Sequence, residues 1–410
     1  MGNSLTDLVN LDNKKKQELG IEFTADEIYG QVDLWEKNYN IFISKKEEIE
    51  RFLHDFFKES PNNIILTGAG TSEFIGYCVE GQIRSSFKIP INVFSTTKIV
   101  TSPEQTIIKD LNTLLISFAR SGNSPESIGA VKIANEITSR IRHFGITCNE
   151  EGLLYKELYK NSNSFALALD PKTNDRGLAM TASFSNMVLI GILLAQHSKI
   201  TSLNNDINAL LKSGNIILNN APDIIKDMAS LKFNRAVFLG DSNNYGTAVE
   251  SHLKLQELTS GKVMCGYDTF PGLRHGPEAV IDSNTIVIAF LSLEPYTRKY
   301  EKDLLKELKD KNIGKAVLIV ADKIDEDEKS LGNYFVEFDP EKSIDLKPYY
   351  TPPLYVIIGQ LLGLFKSLDL GLKPDNPSEK GIINRVVKGV KVYDYHEFLE
   401  KGTFKIIAER

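Results

Sequence analysis

The chain of 410 residues is poor in cysteine, with only Cys78, Cys148 and Cys265 and no C-x-x-C spacing. An odd number of widely separated cysteines predicts neither a disulfide framework nor a zinc site, and it fits a reducing cytoplasm. The N-terminal residues lack the apolar core of a signal peptide, and the longest apolar stretches, 187–195 and 353–365, are shorter than the roughly 20 residues that span a bilayer. We therefore expect a cytoplasmic protein without a membrane segment and without a metal ion.

The sequence also lacks an excess of basic charge. Its 48 Lys and Arg stand against 54 Asp and Glu, a formal net charge of −6. Nucleic acids and anionic membranes are bound by basic surfaces that neutralise phosphate charge, so this balance disfavours both as partners. With 42% apolar and 25% charged residues the composition is that of an ordinary globular protein, and the length suggests two or three domains.

The two halves of the chain resemble each other. Residues 64–68 match 236–240, and residues 112–118 match 284–290, both at an offset of 172. The matched segments are short, rich in β-branched residues and apolar on consecutive positions, which is typical of strands buried on both faces of a parallel sheet. Segments of helical periodicity lie between them. The pattern predicts an α/β protein of two tandem αβα sandwiches with parallel sheets, which together form a duplicated, flavodoxin-like domain.

The boundaries of these parts follow from the same pattern. We predict an N-terminal helical segment at 1–44, a first sandwich at 45–200, a second at 215–370 and a C-terminal tail at 371–410.

Two loops of the first half are rich in glycine and in hydroxyl side chains. One contains Gly70, Thr71 and Ser72, and the other spans residues 119–124. Ligands of open parallel sheets bind beyond the carboxyl ends of the strands, where helix N-termini offer unpaired N–H groups and partial positive charge. Glycine permits a close approach of the backbone and hydroxyls add donors, so the loops predict a site for a phosphate monoester. The alternative is that each loop is only a tight turn from a strand into a helix.

A dinucleotide site is disfavoured in the same loop. Glu73 occupies the third small-residue position of the glycine fingerprint, and Thr96 and Thr97 follow the next strand where a ribose-binding acid would stand. No cofactor is therefore predicted. The corresponding loop of the second half begins with Asp241 and is more acidic, so only the first half is expected to bind phosphate.

The notable ionisable residues of the second half lie in two places. Glu250, Lys254 and Glu257 are three or four residues apart and share one face of a predicted helix, and His275 lies in the loop 274–277. The ordinary interpretations are a solvated charged stripe and a surface histidine. Beside a phosphate site, however, a carboxylate, an ammonium and an imidazole could move a proton on a sugar phosphate.

Together these motifs resemble the sugar isomerase (SIS) family, in particular the isomerase half of glucosamine-6-phosphate synthase. The resemblance rests on residues 70–72, 121–124, 253–257 and 274–277 and covers both halves. Within the family it is greatest to the galactosamine-6-phosphate deaminase/isomerases, also called tagatose-6-phosphate ketose/aldose isomerases. The matches to that group are Thr24-Ala25-x-Glu27-Ile28, 117–127, 274–277 and 384–390.

The resemblance implies a role for individual residues. Glu257 would move a proton between C1 and C2 of the sugar beside Lys254, with Glu250 in a supporting role at most, and His275 would assist ring opening. Thr181 and Ser183 match the sugar-side helix start of the synthase loosely. The residues that would bind the phosphate or the rest of the substrate are Gly70, Thr71, Ser72, Arg120, Ser121, Gly122, Asn123, Ser124 and the tail lysine Lys388.

Three departures from the synthase leave the identity of the sugar open. The loop between Glu257 and His275 is two residues longer than in the synthase. Arg120 stands where the synthase has a glutamine, and Ala119 stands where it has a phosphate-binding serine. About 60 residues precede the first predicted strand, so we expect no glutaminase domain and no glutamine-derived nitrogen. The resemblance then implies an enzyme that converts galactosamine 6-phosphate to tagatose 6-phosphate and ammonia through ring opening and C1–C2 proton transfer.

Two other functions stay open at this point. One is an aldose–ketose isomerase of a hexose 6-phosphate without deamination. The other is a non-catalytic sugar-phosphate sensor, although the chain offers no basic recognition helix for DNA. The loop histidine of the synthase enters the active site of the neighbouring subunit, so the resemblance also implies a homo-oligomer with shared active sites.

Overall fold

A computed structural model describes residues 2–60, 62–378, 381–387 and 389–397. It contains two five-stranded sheets in which every strand pair is parallel, and helices flank both sheets. The predicted α/β class with two parallel sheets in tandem is confirmed. The strands are β1 (Asn62–Gly68), β2 (Ile91–Ser95), β3 (Asn112–Ala119), β4 (Ile141–Thr147), β5 (Ser164–Ala168), β6 (Arg235–Gly240), β7 (Met264–Asp268), β8 (Thr285–Phe290), β9 (Ala316–Ala321) and β10 (Tyr334–Glu337).

The helices alternate with these strands and also form an N-terminal group. None of the helices in the described ranges combines the length and the apolarity that crossing a membrane requires. Their bounds are α1 (Ser4–Val9), α2 (Asn13–Leu19), α3 (Thr24–Ser44), α4 (Lys46–Phe57), α5 (Thr71–Phe87), α6 (Thr96–Thr101), α7 (Pro125–Ile137), α8 (Leu153–Tyr159), α9 (Ala182–Ala195), α10 (Asn204–Ser230), α11 (Asn244–Leu258), α12 (Phe270–Leu273), α13 (Pro295–Lys311), α14 (Glu326–Lys329) and α15 (Thr351–Asp369).

The two sheets have the same strand order. Sheet 1 runs β2-β1-β3-β4-β5, and sheet 2, read from its other edge, runs β7-β6-β8-β9-β10. Within sheet 1, β1 lies beside β3 with Thr67 opposite Ser117, and all eight residues of β3 are buried. Because neighbouring parallel strands end at the same edge of a sheet, the loops that follow β1 and β3 lie side by side.

The two halves meet where α5 of the first crosses α11 of the second. A Cβ atom on Gly246 would lie 2.5 Å from the backbone nitrogen of Cys78, so only glycine allows the helices to approach this closely. Farther along the same contact, Lys254 of α11 reaches Thr71 of α5. The two contacts show that the helices run antiparallel, which brings the N-terminus of α5 to the C-terminal half of α11.

A buried polar network fixes the long helix α3 within the core. The indole N–H of Trp35 donates to Ser185 Oγ at 3.1 Å, and that hydroxyl donates to Gln31 Oε1 at 2.7 Å. The amide of Gln31 then donates to Gln360 Oε1 at 2.8 Å, and Gln360 donates to the carbonyl of Thr181 at 3.1 Å. Buried polar groups are costly unless they are paired, so this chain of bonds ties α3, α9 and α15 into one arrangement.

Candidate active site

The two hydroxyl-rich loops lie together at the carboxyl edge of sheet 1. The turn after β1 contains Gly70, whose φ of +56° is in the left-handed region, and the turn after β3 contains Gly122 with φ +65°. Both conformations favour glycine, because a side chain would strain the backbone there. Ser124 caps α7 by accepting the N–H of Ser127 at 3.3 Å, and Pro125 follows at the first helical position.

The three serines predicted to bind phosphate have different local partners. The Ser72 hydroxyl is buried, and its only hydrogen-bond partner among the described residues is the Met180 sulfur at 3.8 Å. The Ser121 hydroxyl accepts the N–H of Asn123 at 3.3 Å, while the Ser124 hydroxyl donates to Glu126 at 2.9 Å. The sheet therefore brings the two serine-bearing loops to one edge, and their assignment to phosphate stays a prediction.

Lys254 joins the charged residues of the second half to the first of these loops. Its Nζ lies 2.6 Å from Glu257 Oε2 and 3.3 Å from Glu250 Oε1, and it donates to Thr71 Oγ1 at 3.1 Å. The side chains of Lys254 and Glu250 are 1% and 0% exposed, whereas that of Glu257 is 25% exposed. Glu257 is thus the carboxylate of this cluster that a substrate can reach, and the cluster is not a solvated charged stripe.

Burial changes the acid–base behaviour of the innermost carboxylate. Desolvation raises the pKa of Glu250 to about 8; the nearby Lys254 opposes the rise and the Glu257 carboxylate adds to it. Burial works against the charge of Lys254, but the two carboxylates dominate and raise the pKa of its ammonium. We infer that Lys254 keeps its charge beside a glutamate, Glu250, that holds its proton near neutral pH.

Arg120 lies in the second loop, but its guanidinium hydrogen-bonds to backbone carbonyls outside that loop. It is 7% exposed and donates to the carbonyls of Gly177 at 3.4 Å, Leu178 at 3.1 Å and Arg385 at 2.6 Å. The structure therefore places this predicted substrate ligand on backbone oxygens of two other segments.

Thr181 and Ser183 lie at the start of α9, where both are buried. The carboxylate of Asp175 accepts the N–H groups of Thr181, Ala182 and Ser183 at 2.8, 3.1 and 2.9 Å. It also accepts the hydroxyls of Thr181 at 3.0 Å and Ser183 at 2.5 Å. Asp175 thus satisfies the N-terminus of α9, and both predicted hydroxyls donate to it.

His275 lies on the other side of sheet 2 from α11. It is exposed in the turn after α12, and Phe270 of that helix is buried with Leu239 of β6. Leu255 of α11 is instead buried with Phe238 of the same strand. Because neighbouring side chains of a strand point to opposite faces, the histidine turn and α11 lie on opposite faces of the sheet. A single chain does not bring His275 to the Lys254 cluster.

The tail residue Lys388 lies outside the described residues. The tail on either side of it contacts the first half: Arg385 donates to the carbonyl of Asp175 and to Asn174 Oδ1, the latter at 2.8 Å. The Tyr395 hydroxyl donates to Glu104 Oε1 at 2.8 Å.

Four further residues lie around the predicted ones and have no role predicted from the sequence: Glu27, Asp175, Asp375 and Arg385. Glu27 accepts the N–H of Arg176 at 2.5 Å, and Asp375 accepts the N–H and the hydroxyl of Thr24 at 2.8 and 2.6 Å. Burial, aided by the Asp175 carboxylate, raises the pKa of Glu27 to about 8. The motifs 24–28 and 384–390 were the available signal, although nothing in them shows that they meet.

Within the described ranges, no group of three or more His, Cys, Asp or Glu side chains is placed to hold a metal ion. A cavity of about 760 Å³ lies between α3 and residues 171–176. Its lining carries charges of both signs, with Glu22, Asp26, Glu27 and Asp33 acidic and Lys37, Lys172 and Arg176 basic.

Several known proteins are similar to this chain over most of its length. No protein-family model matches the chain. It is 35% identical over 374 residues to D-galactosamine-6-phosphate deaminase AgaS of Escherichia coli, covering 91% of this chain and 96% of that protein. Its sequence is 32% identical to that of tagatose-6-phosphate ketose/aldose isomerase from Escherichia coli. The crystal structure of that protein superposes with a TM-score of 0.81 over 91% of this chain and 96% of the other.

A more distant structure shares the fold. The C-terminal domain of glucosamine-fructose-6-phosphate aminotransferase from Francisella tularensis superposes with a TM-score of 0.70 at 18% identity, covering 86% of this chain and 98% of that one.

The raised pKa of Glu250 predicts how one substitution changes the pH dependence of stability. Its ordinary pKa of 4.5 becomes about 8 on folding, so over that range the folded protein keeps a proton that the unfolded chain has lost. This lowers the free energy of unfolding as pH rises. Glu250→Gln removes the effect, so its free energy of unfolding should improve relative to wild type between about pH 5 and 8. Urea unfolding at several pH values measures the difference, and Glu326→Gln at an exposed site is the control. A difference that stays constant with pH would contradict the assignment.

Proposed function

Since the chain belongs to the SIS-domain family of D-galactosamine-6-phosphate deaminases AgaS, we propose that it releases ammonia from galactosamine 6-phosphate and forms tagatose 6-phosphate. That it is a sugar-phosphate enzyme follows from the family. The substrate, the residues that act on it and the cytoplasmic location are our proposals.

One observation carries the proposal. Two hydroxyl-bearing helix N-termini of the first half lie at one edge of sheet 1, and the Lys254–Glu257 ion pair of the second half reaches that edge through Thr71. Helix N-termini and hydroxyls suit a phosphate, and the partly exposed Glu257 carboxylate suits proton transfer on the sugar attached to that phosphate. Phosphate recognition and proton transfer are then supplied by different halves of the chain.

The proposed reaction needs one group that moves a proton between neighbouring carbons. Ring opening exposes the C1 aldehyde. The Glu257 carboxylate removes the proton on C2 while the C1 oxygen takes up a proton, which leaves an enolamine with a C1–C2 double bond. Return of the proton from Glu257 to C1 gives an iminium ion at C2. Water adds to that carbon and ammonia leaves, which yields the C2 ketone. Lys254 orients the carboxylate through the 2.6 Å ion pair.

The isomerase alternative uses the same first steps. A hexose 6-phosphate with a hydroxyl at C2 would give an enediol and then the ketone directly, without water addition or ammonia. A panel of galactosamine 6-phosphate, glucosamine 6-phosphate and galactose 6-phosphate separates these functions when ammonia and ketose are both assayed. We expect ammonia and ketose in equal amounts from galactosamine 6-phosphate. Ketose from galactose 6-phosphate alone would favour the isomerase, and binding without turnover would favour a sensor.

Glu257→Gln should abolish the proton transfer but leave substrate binding nearly unchanged. The amide retains the size and hydrogen-bonding reach of the carboxylate yet cannot accept a proton, so kcat should fall about 10²–10⁴-fold with KM nearly unchanged. Exchange of solvent deuterium into C1 or C2 should disappear as well. Glu250→Gln is the matched comparison and should retain exchange. Exchange at close to the wild-type rate in Glu257→Gln would direct the search for the base to Glu250 and His275.

We also propose an oligomer in which His275 serves the site of a neighbouring subunit, because within its own chain it is exposed on the far face of sheet 2. Mixing Glu257→Gln protein with His275→Ala protein under subunit exchange should then restore activity, about a quarter of the wild-type value for a random dimer. Each variant mixed with itself is the control. A monomer by light scattering, or no recovery in exchanging subunits, would place the whole site within one chain.

A further inference from the structure

Arg120 links three segments that are distant in sequence. Its backbone belongs to the phosphate loop, which we define as residues 120–124, and its guanidinium donates to carbonyls of two other segments, Gly177 and Leu178 in one and Arg385 in the other. We propose that Arg120 is a positioning residue that couples the phosphate loop to the C-terminal tail, described at residues 381–387 and 389–397, so that phosphate binding and tail docking strengthen each other. This inference rests on the phosphate site of the proposed function.

The first contact of the tail is at the segment before α9. Arg385 donates through Nε to the carbonyl of Asp175 at 2.8 Å and through Nη2 to Asn174 Oδ1 at 2.8 Å, while its own carbonyl accepts Arg120. The tail is therefore bonded to both the loop and the start of α9 at one residue.

The second contact of the tail is on α7, the helix that begins at the phosphate loop. A Cβ on Gly129 would lie 2.9 Å from Val392 Cγ1, so the tail packs directly on the bare backbone of this helix. Tyr395 is 7% exposed, and its hydroxyl donates to Glu104 at 2.8 Å. These two contacts hold Arg385 at the segment before α9 and Val392 at α7.

The chemistry of Arg120 suits a connecting role. Its Nη1 donates to both Gly177 and Leu178 and its Nη2 donates to Arg385, an arrangement that the planar fork of a guanidinium allows better than a single ammonium. Burial lowers the pKa of Arg120; the Asp175 carboxylate opposes this effect, the Arg385 charge adds to it and the Glu257 carboxylate opposes it. Among the described residues, the side chain has no hydrogen bond to Ser72, Ser121 or Ser124.

Coupling of this kind is reciprocal. If tail docking raises the affinity for phosphate by some factor, phosphate must favour tail docking by the same factor, which for coupled sites is typically about 5- to 150-fold. Both quantities can be measured on the full chain without turnover, from the dissociation constant of inorganic phosphate and from hydrogen exchange of the tail amides.

Gly129→Ala tests the coupling from the tail side. The added methyl group displaces Val392, while alanine in a helix interior is itself favourable, so the protein should fold. We expect faster exchange of the tail amides and a phosphate dissociation constant raised about tenfold. Val392→Ala in the same protein should restore both values, and Gly30→Ala, where a Cβ meets nothing within 4 Å, should change neither. Faster tail exchange with unchanged phosphate affinity would overturn the proposal, as would failure of Val392→Ala to restore the affinity.

Arg120→Gln completes a double-mutant cycle. Alone it should raise the phosphate dissociation constant about tenfold and release the tail, but in the Gly129→Ala background it should add less than about twofold. An equal effect in both backgrounds means that Arg120 binds phosphate itself and overturns the proposal. If Arg120→Gln does not fold, the Gly129→Ala series decides alone.

The results of these experiments distinguish a failure of the coupling from a failure of the proposed reaction. Wild-type protein that binds no phosphate removes the phosphate site and this inference together. Intact coupling in a protein that releases no ammonia from galactosamine 6-phosphate would instead reject only the proposed reaction.

Discussion

The contact of Lys254 with both halves of the chain is the interaction on which the site depends. Its ammonium is 1% exposed and lies between Glu250 and Glu257, with Thr71 of the other half as its third partner. Removing the charge would leave the Glu257 carboxylate without its cation beside the buried Glu250, which is the costly way to break such an ion pair. The contact in turn requires α5 and α11 to cross closely, which the absence of a side chain at Gly246 permits.

The same fold is used twice with different local chemistry. Both sheets have one strand order, but Thr71 and Ser72 follow β1, whereas the turn after β6 begins with Asp241. Burial raises the pKa of Asp241 to about 6, opposed by the backbone N–H of Phe270. A partly buried carboxylate at this position disfavours an anion, which is consistent with the phosphate site proposed for the first half.

Both ends of the described chain contribute to the surroundings of this site. Thr24 near the start and Asp375 near the end bond to each other, and Glu27 and Arg385 bond to the segment before α9. Asp175 in that segment satisfies the helix N-terminus that would otherwise present free N–H groups beside the phosphate loops. Backbone N–H groups and hydroxyls, rather than opposite charges, satisfy the buried Asp175 carboxylate.

The sheets and the loops could be predicted from the sequence. Consecutive apolar β-branched runs, repeated at an offset of 172, specify buried parallel strands, and Gly70, Gly122 and Ser124 with Pro125 specify the turns that follow them. Such features are local, because backbone conformation and strand burial depend on neighbouring residues. The contacts between groups distant in sequence could not be predicted in this way, because they depend on how the helices and strands pack. The antiparallel crossing of α5 and α11 buried Lys254 against Thr71, the orientation of Arg120 followed from carbonyls far away in sequence, and the alternation of side chains along β6 placed His275 on the face opposite α11.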